Sequence, residues 1–169
     1  MNTTVIFAEL LVCGVQSFIW IAFFVSLLIG VDLRSFFLTW QSGLVFAALA
    51  YALGVIFDRV WDMFARPVDL WIRRKYFNSS EELHLLRIRI FSTQQSDFLS
   101  YIDYIRSRMR IARATLFNAF AGAFVSLLFA NAACAFLLTA AALLSLFAFA
   151  DLLKTYYGLL KNSQSITSI

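Results

Sequence analysis

The sequence contains a run of 37 residues, Ala114 to Ala150, without a single charged side chain. A helix needs about 20 such residues to cross the hydrocarbon core of a membrane, which is about 30 Å thick. One helix of the full run would be about 55 Å long at about 1.5 Å per residue. The run therefore predicts two shorter transmembrane helices, at about 114–130 and 134–154, joined by a tight turn near Asn131.

Two more uncharged runs lie nearer the N-terminus, at about 10–31 and 36–57. The first is longer than the apolar part of a secretory signal peptide and follows no basic residue, so we interpret it as a membrane span. Because only a short turn separates the two runs, the second must return across the membrane. Residues 1–57 are therefore predicted to form one transmembrane hairpin and residues 114–157 a second. The composition agrees, since 14% of the residues are charged, whereas soluble domains have about 25%.

Positively charged residues are concentrated between the two hairpins. Residues 58–113 contain eleven of the fourteen Lys and Arg residues and seven of the ten acidic residues, a net charge of +4. Cytoplasmic segments of membrane proteins carry an excess of Lys and Arg. The distribution therefore predicts a multi-pass protein of the inner (plasma) membrane. Its 58–113 insertion, its 158–169 tail and both termini are expected to be cytoplasmic.

Local patterns predict that the insertion is helical. Ser79 and Glu82 have the spacing of a capping box at a helix start, and apolar periodicity from Ser96 indicates a helix that continues into the third span. Residues 86–91 alternate like a strand, but a single strand would lack a partner within the chain. Helix is therefore favoured, and strand pairing between subunits is the alternative. Pro67 is expected to kink or split the helix that contains it.

The predicted fold class is an all-α membrane protein with four transmembrane helices and a helical, Arg-rich cytoplasmic insertion between helices 2 and 3. The insertion has about 55 residues, too few for a large core of its own. We therefore expect a homo-oligomer, in which neighbouring subunits supply the missing contacts.

No set of residues predicts catalysis. The single histidine, His84, has no identifiable nucleophile or carboxylate beside it, and the sequence has no phosphate-binding glycine loop or metal-binding motif. Cys13 and Cys134 lie in apolar runs and are interpreted as free thiols. The chain is therefore predicted not to be an enzyme and to bind no metal or cofactor. Gln16 and Asn118 are candidates for lining a pore, although hydrogen bonding between helices is the favoured interpretation.

The arginines of the insertion are the strongest functional signal. Ten of its eleven basic residues are Arg, which binds phosphate oxygens in a bidentate manner, whereas Lys acts as a point charge. Topology and contact with anionic lipid explain basic residues in general, but Lys would serve both equally well. The candidate ligand-binding residues are therefore Arg73, Arg74, Arg87, Arg89, Arg106, Arg108, Arg110 and Arg113.

In its size, its number of spans and its Arg-rich cytoplasmic portion, the chain resembles the small multi-span membrane effectors of bacterial nucleotide-signalled anti-phage defence. The resemblance implies an oligomeric ion channel or membrane-disrupting effector, controlled by a nucleotide or oligonucleotide bound on the cytoplasmic side. It assigns no role to individual residues. The alternative is a non-conducting membrane anchor or scaffold, which recruits a cytoplasmic protein partner or anionic lipid from the bilayer.

Overall fold

The computed structural model describes residues 3–30, 40–93 and 96–166, and every element in these ranges is a helix. The all-α prediction is confirmed, and residues 86–91 are helical, as favoured over strand. The five helices are α1 Thr3–Ile29, α2 Trp40–Arg73, α3 Ser80–Thr93, α4 Ser96–Leu128 and α5 Ala132–Ile166.

Three of the described helices contain stretches that are long and apolar enough to cross a membrane. These stretches are Thr3–Ser26 in α1, Asp97–Leu128 in α4 and Ala132–Ser163 in α5. The predicted span at 36–57 lies partly outside the described residues, and the rest of it forms the first half of α2. The arrangement with four spans therefore stays a prediction.

Helices α1 and α2 pack together at two glycines. A Cβ atom on Gly14 would lie 1.5 Å from the carbonyl oxygen of Ala50, and one on Gly54 would lie 1.9 Å from that of Leu10. No side chain fits at such distances, so the two backbones are in direct contact. Close approach of this kind is typical of membrane helices with small residues at their interface.

Helices α4 and α5 form the second hairpin, with a tight turn at residues 129–131. Ala130 has a φ of 54°, a left-handed conformation that reverses the chain within few residues. The side-chain oxygen of Asn131 accepts a hydrogen bond from the backbone amide of Cys134 at 3.1 Å and so caps the start of α5. The turn lies where the sequence analysis expected it, near Asn131.

The core beyond the apolar stretches is larger than the sequence suggested. Helix α5 continues through the predicted tail to Ile166, and its C-terminal half packs against the insertion. The insertion was expected to be too small for a large core of its own, and in the structure the apolar face of α5 completes its core. Homo-oligomerisation stays a prediction, but the size of the insertion no longer supports it. The buried residues of this core are Ala65, Ile72, Phe77, Leu83, Leu86, Ile90, Ile102, Ile105, Phe149, Leu153, Tyr156, Tyr157 and Leu160.

Proline does not split α2, contrary to one of the two outcomes expected for Pro67. The helix runs without interruption from Trp40 to Arg73. Proline removes the hydrogen bond to the carbonyl four residues earlier, here that of Met63. Both side chains are exposed, so the unpaired carbonyl lies on the accessible side of the helix and the core-facing side keeps its hydrogen bonds.

The start of α3 has the predicted cap. The hydroxyl of Ser79 accepts a hydrogen bond from the amide of Glu82 at 3.0 Å. The Glu82 carboxylate in turn accepts one from the amide of Asn78 at 3.1 Å, one residue earlier than in the standard capping box. These bonds fix the sharp corner between α2 and α3.

Candidate functional site: an arginine pocket between four helices

A cavity of about 670 Å³ lies where α2, α3, α4 and α5 meet. Its volume is in the range of pockets that hold a single small-molecule ligand. We call it the arginine pocket. It is lined by Asp58, Arg59, Asp62, Met63, Ala65, Arg66 and Asp69 of α2, Arg87 of α3, Arg106, Met109, Arg110 and Arg113 of α4, and Phe149, Leu153, Tyr156 and Tyr157 of α5.

The lining is strongly basic. Six arginines face three aspartates, which gives the lining residues a formal charge of +3. No lysine lines the cavity. A concave, positively charged surface concentrates field and attracts anions more strongly than a flat surface of the same charge.

Part of this charge is neutralised by a network of ion pairs that joins three helices. Arg110 of α4 pairs with Glu9 of α1 and, at 3.7 Å, with Asp58 of α2. Arg113 pairs with the same Asp58 oxygen at 2.6 Å and with Asp62. The network therefore runs from Glu9 through the two arginines and Asp58 to Asp62, and connects α4 to both helices of the first hairpin.

Glu9 is the member of the network that sequence reasoning missed. Glu9 directly precedes the first uncharged run, a place where a side chain can lie among the headgroups, but it is only 4% exposed. One of its carboxylate oxygens pairs with Arg110, and the other is buried without a hydrogen-bond partner in the described structure. A buried carboxylate is stable only beside a compensating charge, so the packing of α1 against α4 depends on Arg110.

Of the four lining arginines outside this network, Arg106 pairs with Asp103 of its own helix at 3.7 Å. Within the part of the chain that the structure describes, the other three, Arg59, Arg66 and Arg87, have no ion-pair partner. The Arg87 guanidinium carbon lies 5.7 Å from the ring centroid of Tyr156, a cation–π contact. Its Nε atom is buried without a hydrogen-bond partner. These guanidiniums are the groups that an anion in the cavity would meet.

The opposite end of the pocket is aromatic. The hydroxyl of Tyr157 donates a hydrogen bond to Asp69 at 2.6 Å, and its ring lies edge-on to that of Tyr156 at 5.3 Å between centroids. Asp58 and Asp69 are eleven residues apart on α2, or about 16 Å along the helix at about 1.5 Å per residue. The cavity therefore has an ion-pair end and a tyrosine end.

The structure brings together half of the predicted ligand-binding residues. Arg87, Arg106, Arg110 and Arg113 line the pocket. Three others lie outside the lining: Arg73, which donates to Ser80 at 3.3 Å; Arg74, which is exposed; and Arg108, which lies 4.8 Å from the Tyr104 ring centroid. The side chain of the eighth, Arg89, lies outside the described part of the structure.

Two lining arginines, Arg59 and Arg66, were not selected from the sequence. They are seven residues apart on α2, two helical turns, and thus lie on the same face. Asp62 and Arg66 have the i,i+4 spacing of a local ion pair on a helix. In the structure Asp62 instead pairs with Arg113, 51 residues away, which leaves Arg66 available.

Gln16 and Asn118 face each other between α1 and α4. Gln16 donates to Thr115 at 3.0 Å. The Asn118 side-chain oxygen accepts hydrogen bonds from Ser17 at 2.9 Å and from Trp20 at 3.1 Å. This is the interhelical hydrogen bonding that the sequence favoured, and a role for the two residues in a pore stays a prediction.

Metal-binding geometry is not found in the described ranges, where no three His, Cys, Asp or Glu side chains are placed to hold an ion. His84 is exposed on α3, outside the lining of the pocket. The pocket thus offers guanidinium groups, which can bind an anion by charge and hydrogen bonding.

Comparison with known proteins gives no further guide to this pocket. No family model matches the chain, and neither the curated proteins nor the solved structures include a match. The function proposed below therefore rests on the geometry and charge of the arginine pocket.

Proposed function

We propose that the protein is an oligomeric inner-membrane channel or membrane-disrupting effector, controlled by a phosphorylated ligand in the arginine pocket on the cytoplasmic side. One observation carries the proposal. A cavity of about 670 Å³ is lined by six arginines, and three of these, within the described residues, have no carboxylate partner.

The chemistry of the lining favours phosphate over other anions. Guanidinium groups form two parallel hydrogen bonds with phosphate oxygens, and several of them can surround one tetrahedral group. Basic residues that serve only topology or lipid binding need exposure to the headgroups, not a shared cavity. The convergence of six guanidiniums from three helices is better explained by a ligand.

The size of the cavity favours one compact ligand. Pockets of about 300–1,000 Å³ enclose ligands of drug size, which matches a nucleotide or a short oligonucleotide better than a long strand. Phe149 and Tyr156 also line the cavity as buried aromatic side chains, so an aromatic part of the ligand would meet an apolar wall there. We therefore propose a ligand with both a phosphate and an aromatic part.

The position of the pocket connects it with the membrane. Arg106, Arg110 and Arg113 lie on α4, and Phe149 to Tyr157 lie on α5; all of them fall within the two stretches that are long and apolar enough to cross a membrane. A ligand that prefers one arrangement of these helices shifts the protein toward it. This coupling supports control of membrane permeability, as the resemblance to anti-phage effectors implies.

Binding to the purified protein in detergent tests the site, with ATP and inorganic pyrophosphate as probes. Arg66→Ala and Arg87→Ala should each weaken binding of pyrophosphate at least about tenfold, since hydrogen bonds to charged groups contribute about 1.5–3 kcal/mol. Arg74→Ala and Arg108→Ala, which remove the same charge outside the pocket, should change it less than about twofold. Equal losses in all four variants would show nonspecific attraction, and no binding of either probe would refute the site.

Ion flux through liposomes that contain the protein separates a channel from the alternative. A ligand-dependent flux, lost in Arg87→Ala, supports control through the pocket. Protein that passes no ions with or without ATP would instead be a non-conducting anchor or scaffold, with its basic surface available to a cytoplasmic partner protein or anionic lipid.

A further inference from the structure

Two of the pocket arginines also hold the two hairpins together. Among the described ion pairs, every one that joins α4 to the first hairpin is formed by Arg110 or Arg113. The same two side chains line the cavity. The groups that would bind a phosphate are therefore already bound to carboxylates of α1 and α2.

We propose that Arg110 and Arg113 form a latch, which a phosphorylated ligand opens. Phosphate oxygens of the ligand replace the carboxylates as acceptors, and the cytoplasmic ends of α1 and α2 separate from α4. This inference rests on the proposed function, because it concerns the regulation of the same pocket.

Competition follows from how Arg113 uses its donors. Its Nη1 atom donates to Asp62 and its Nη2 atom to Asp58 at 2.6 Å. Its Nε atom is buried, so a phosphate must approach the Nη1–Nη2 edge, where its bidentate binding competes with these carboxylates. Asp62 is 68% exposed and is hydrated once released, so the latch opens from this end.

Loss of the ion pair between Glu9 and Arg110 should cause α1 to move. Its side chain is 4% exposed, and Arg110 is its ion-pair partner. Once Arg110 turns toward a phosphate, Glu9 is a buried charge without compensation, a strongly unfavourable state. The carboxylate regains water only if the cytoplasmic end of α1 moves away from α4.

Hydrogen bonds further along α1 act as the pivot for this movement of α1 against α4. Gln16 and Ser17 bond to Thr115 and Asn118, about 10 Å further along α1 than Glu9. These bonds do not involve the latch arginines, so the helices stay joined there while their ends separate. A ligand would thus tilt α1 against α4 without separating the hairpins.

Glu9→Gln tests the latch from outside the pocket, since Glu9 is not among the lining residues. Removing its charge frees Arg110 and should lower the dissociation constant for pyrophosphate about fivefold or more, within the range typical of coupled sites. Glu81→Gln, an exposed position on α3 with the same change of charge, should change it less than twofold. If Glu9→Gln misfolds, Asp62→Asn, at an exposed position, is tested instead. It should also lower the dissociation constant for pyrophosphate.

The distance between two spin labels reports movement of the helices, and a change of charge alone does not alter it. Labels are placed at the exposed positions Thr3 of α1 and Tyr104 of α4, by substitution with Cys in a chain whose native cysteines are replaced. Pyrophosphate, or Glu9→Gln without a ligand, should lengthen this distance by about 2–5 Å. If pyrophosphate binds but neither the distance nor the affinity of Glu9→Gln changes, the latch is refuted and the pocket stands. If pyrophosphate fails to bind, both are refuted.

Discussion

Replacement of Arg113 by alanine should destabilise the protein far more than removal of its most exposed partner. Arg113 is 13% exposed and bonds to Asp58, itself 20% exposed, at 2.6 Å. Removing one partner of a buried pair costs about 3–5 kcal/mol, and the partial exposure places this pair near the lower end, about 3 kcal/mol. The Asp62 partner is 68% exposed, where an ion pair contributes about 1 kcal/mol or less. Arg113→Ala should therefore lower the free energy of unfolding by about 3 kcal/mol, and Asp62→Asn by less than about 1 kcal/mol.

Reversible unfolding in mixed detergent micelles measures both changes, and a double-mutant cycle isolates the pair. Asp58→Asn combined with Arg113→Ala should recover a large part of the loss, because Arg113→Ala leaves the Asp58 carboxylate with only the longer Arg110 contact at 3.7 Å and Asp58→Asn removes that carboxylate. The reasoning is refuted if Asp62→Asn destabilises as much as Arg113→Ala, or if the two effects at 58 and 113 simply add.

Three further predictions concern packing and hydrogen bonds, all measured by unfolding in the same micelles. Gly14→Ala should destabilise the chain by more than about 2 kcal/mol, because the new Cβ would lie 1.5 Å from a backbone oxygen. Gly43→Ala is the control: the space around Gly43 is open, so the change should be neutral or stabilise by up to about 1 kcal/mol. Asn118→Ala should cost about 1–3 kcal/mol, because two hydrogen bonds to its oxygen are lost; no change would mean that those bonds contribute nothing. Tyr157→Phe should cost about 1–2 kcal/mol through loss of the bond to an α2 carboxylate, and the exposed Tyr101→Phe less than about 0.5 kcal/mol; equal effects would contradict this.

The helices could be predicted from the sequence because each is encoded locally. An uncharged run predicts a span from a single property, and Ser79 with Glu82 marks a helix start within four residues. Asn131 likewise marks the turn between α4 and α5. Residues 86–91 were ambiguous because short apolar alternation fits a strand as well, and burial of Leu86 and Ile90 on one side of α3 resolves it.

The pocket could not be predicted in full because its parts meet over long separations in sequence. Glu9 and Arg110 are 101 residues apart, and Asp58 and Arg113 are 55 apart. None of these four residues has an oppositely charged residue three or four positions away, so local spacing does not indicate its partner. Asp62 does have Arg66 at i,i+4, but it pairs with Arg113 instead. The contribution of α5 was missed for a different reason. Its apolar residues are equally compatible with contact to lipid and with burial between helices, and only the packing shows which of them face the insertion.

The arrangement of charges argues against topology as the whole reason for the arginines. A positive-inside bias requires only that basic residues lie on the cytoplasmic side, where exposed side chains satisfy it without desolvation. In this chain Glu9 and Arg110 are paired in a largely buried position, and Arg87 keeps a buried Nε without a partner. Both features are unfavourable for stability alone. Such groups are retained where a ligand or a second conformation uses them, so binding to the unpaired guanidiniums decides between the two explanations.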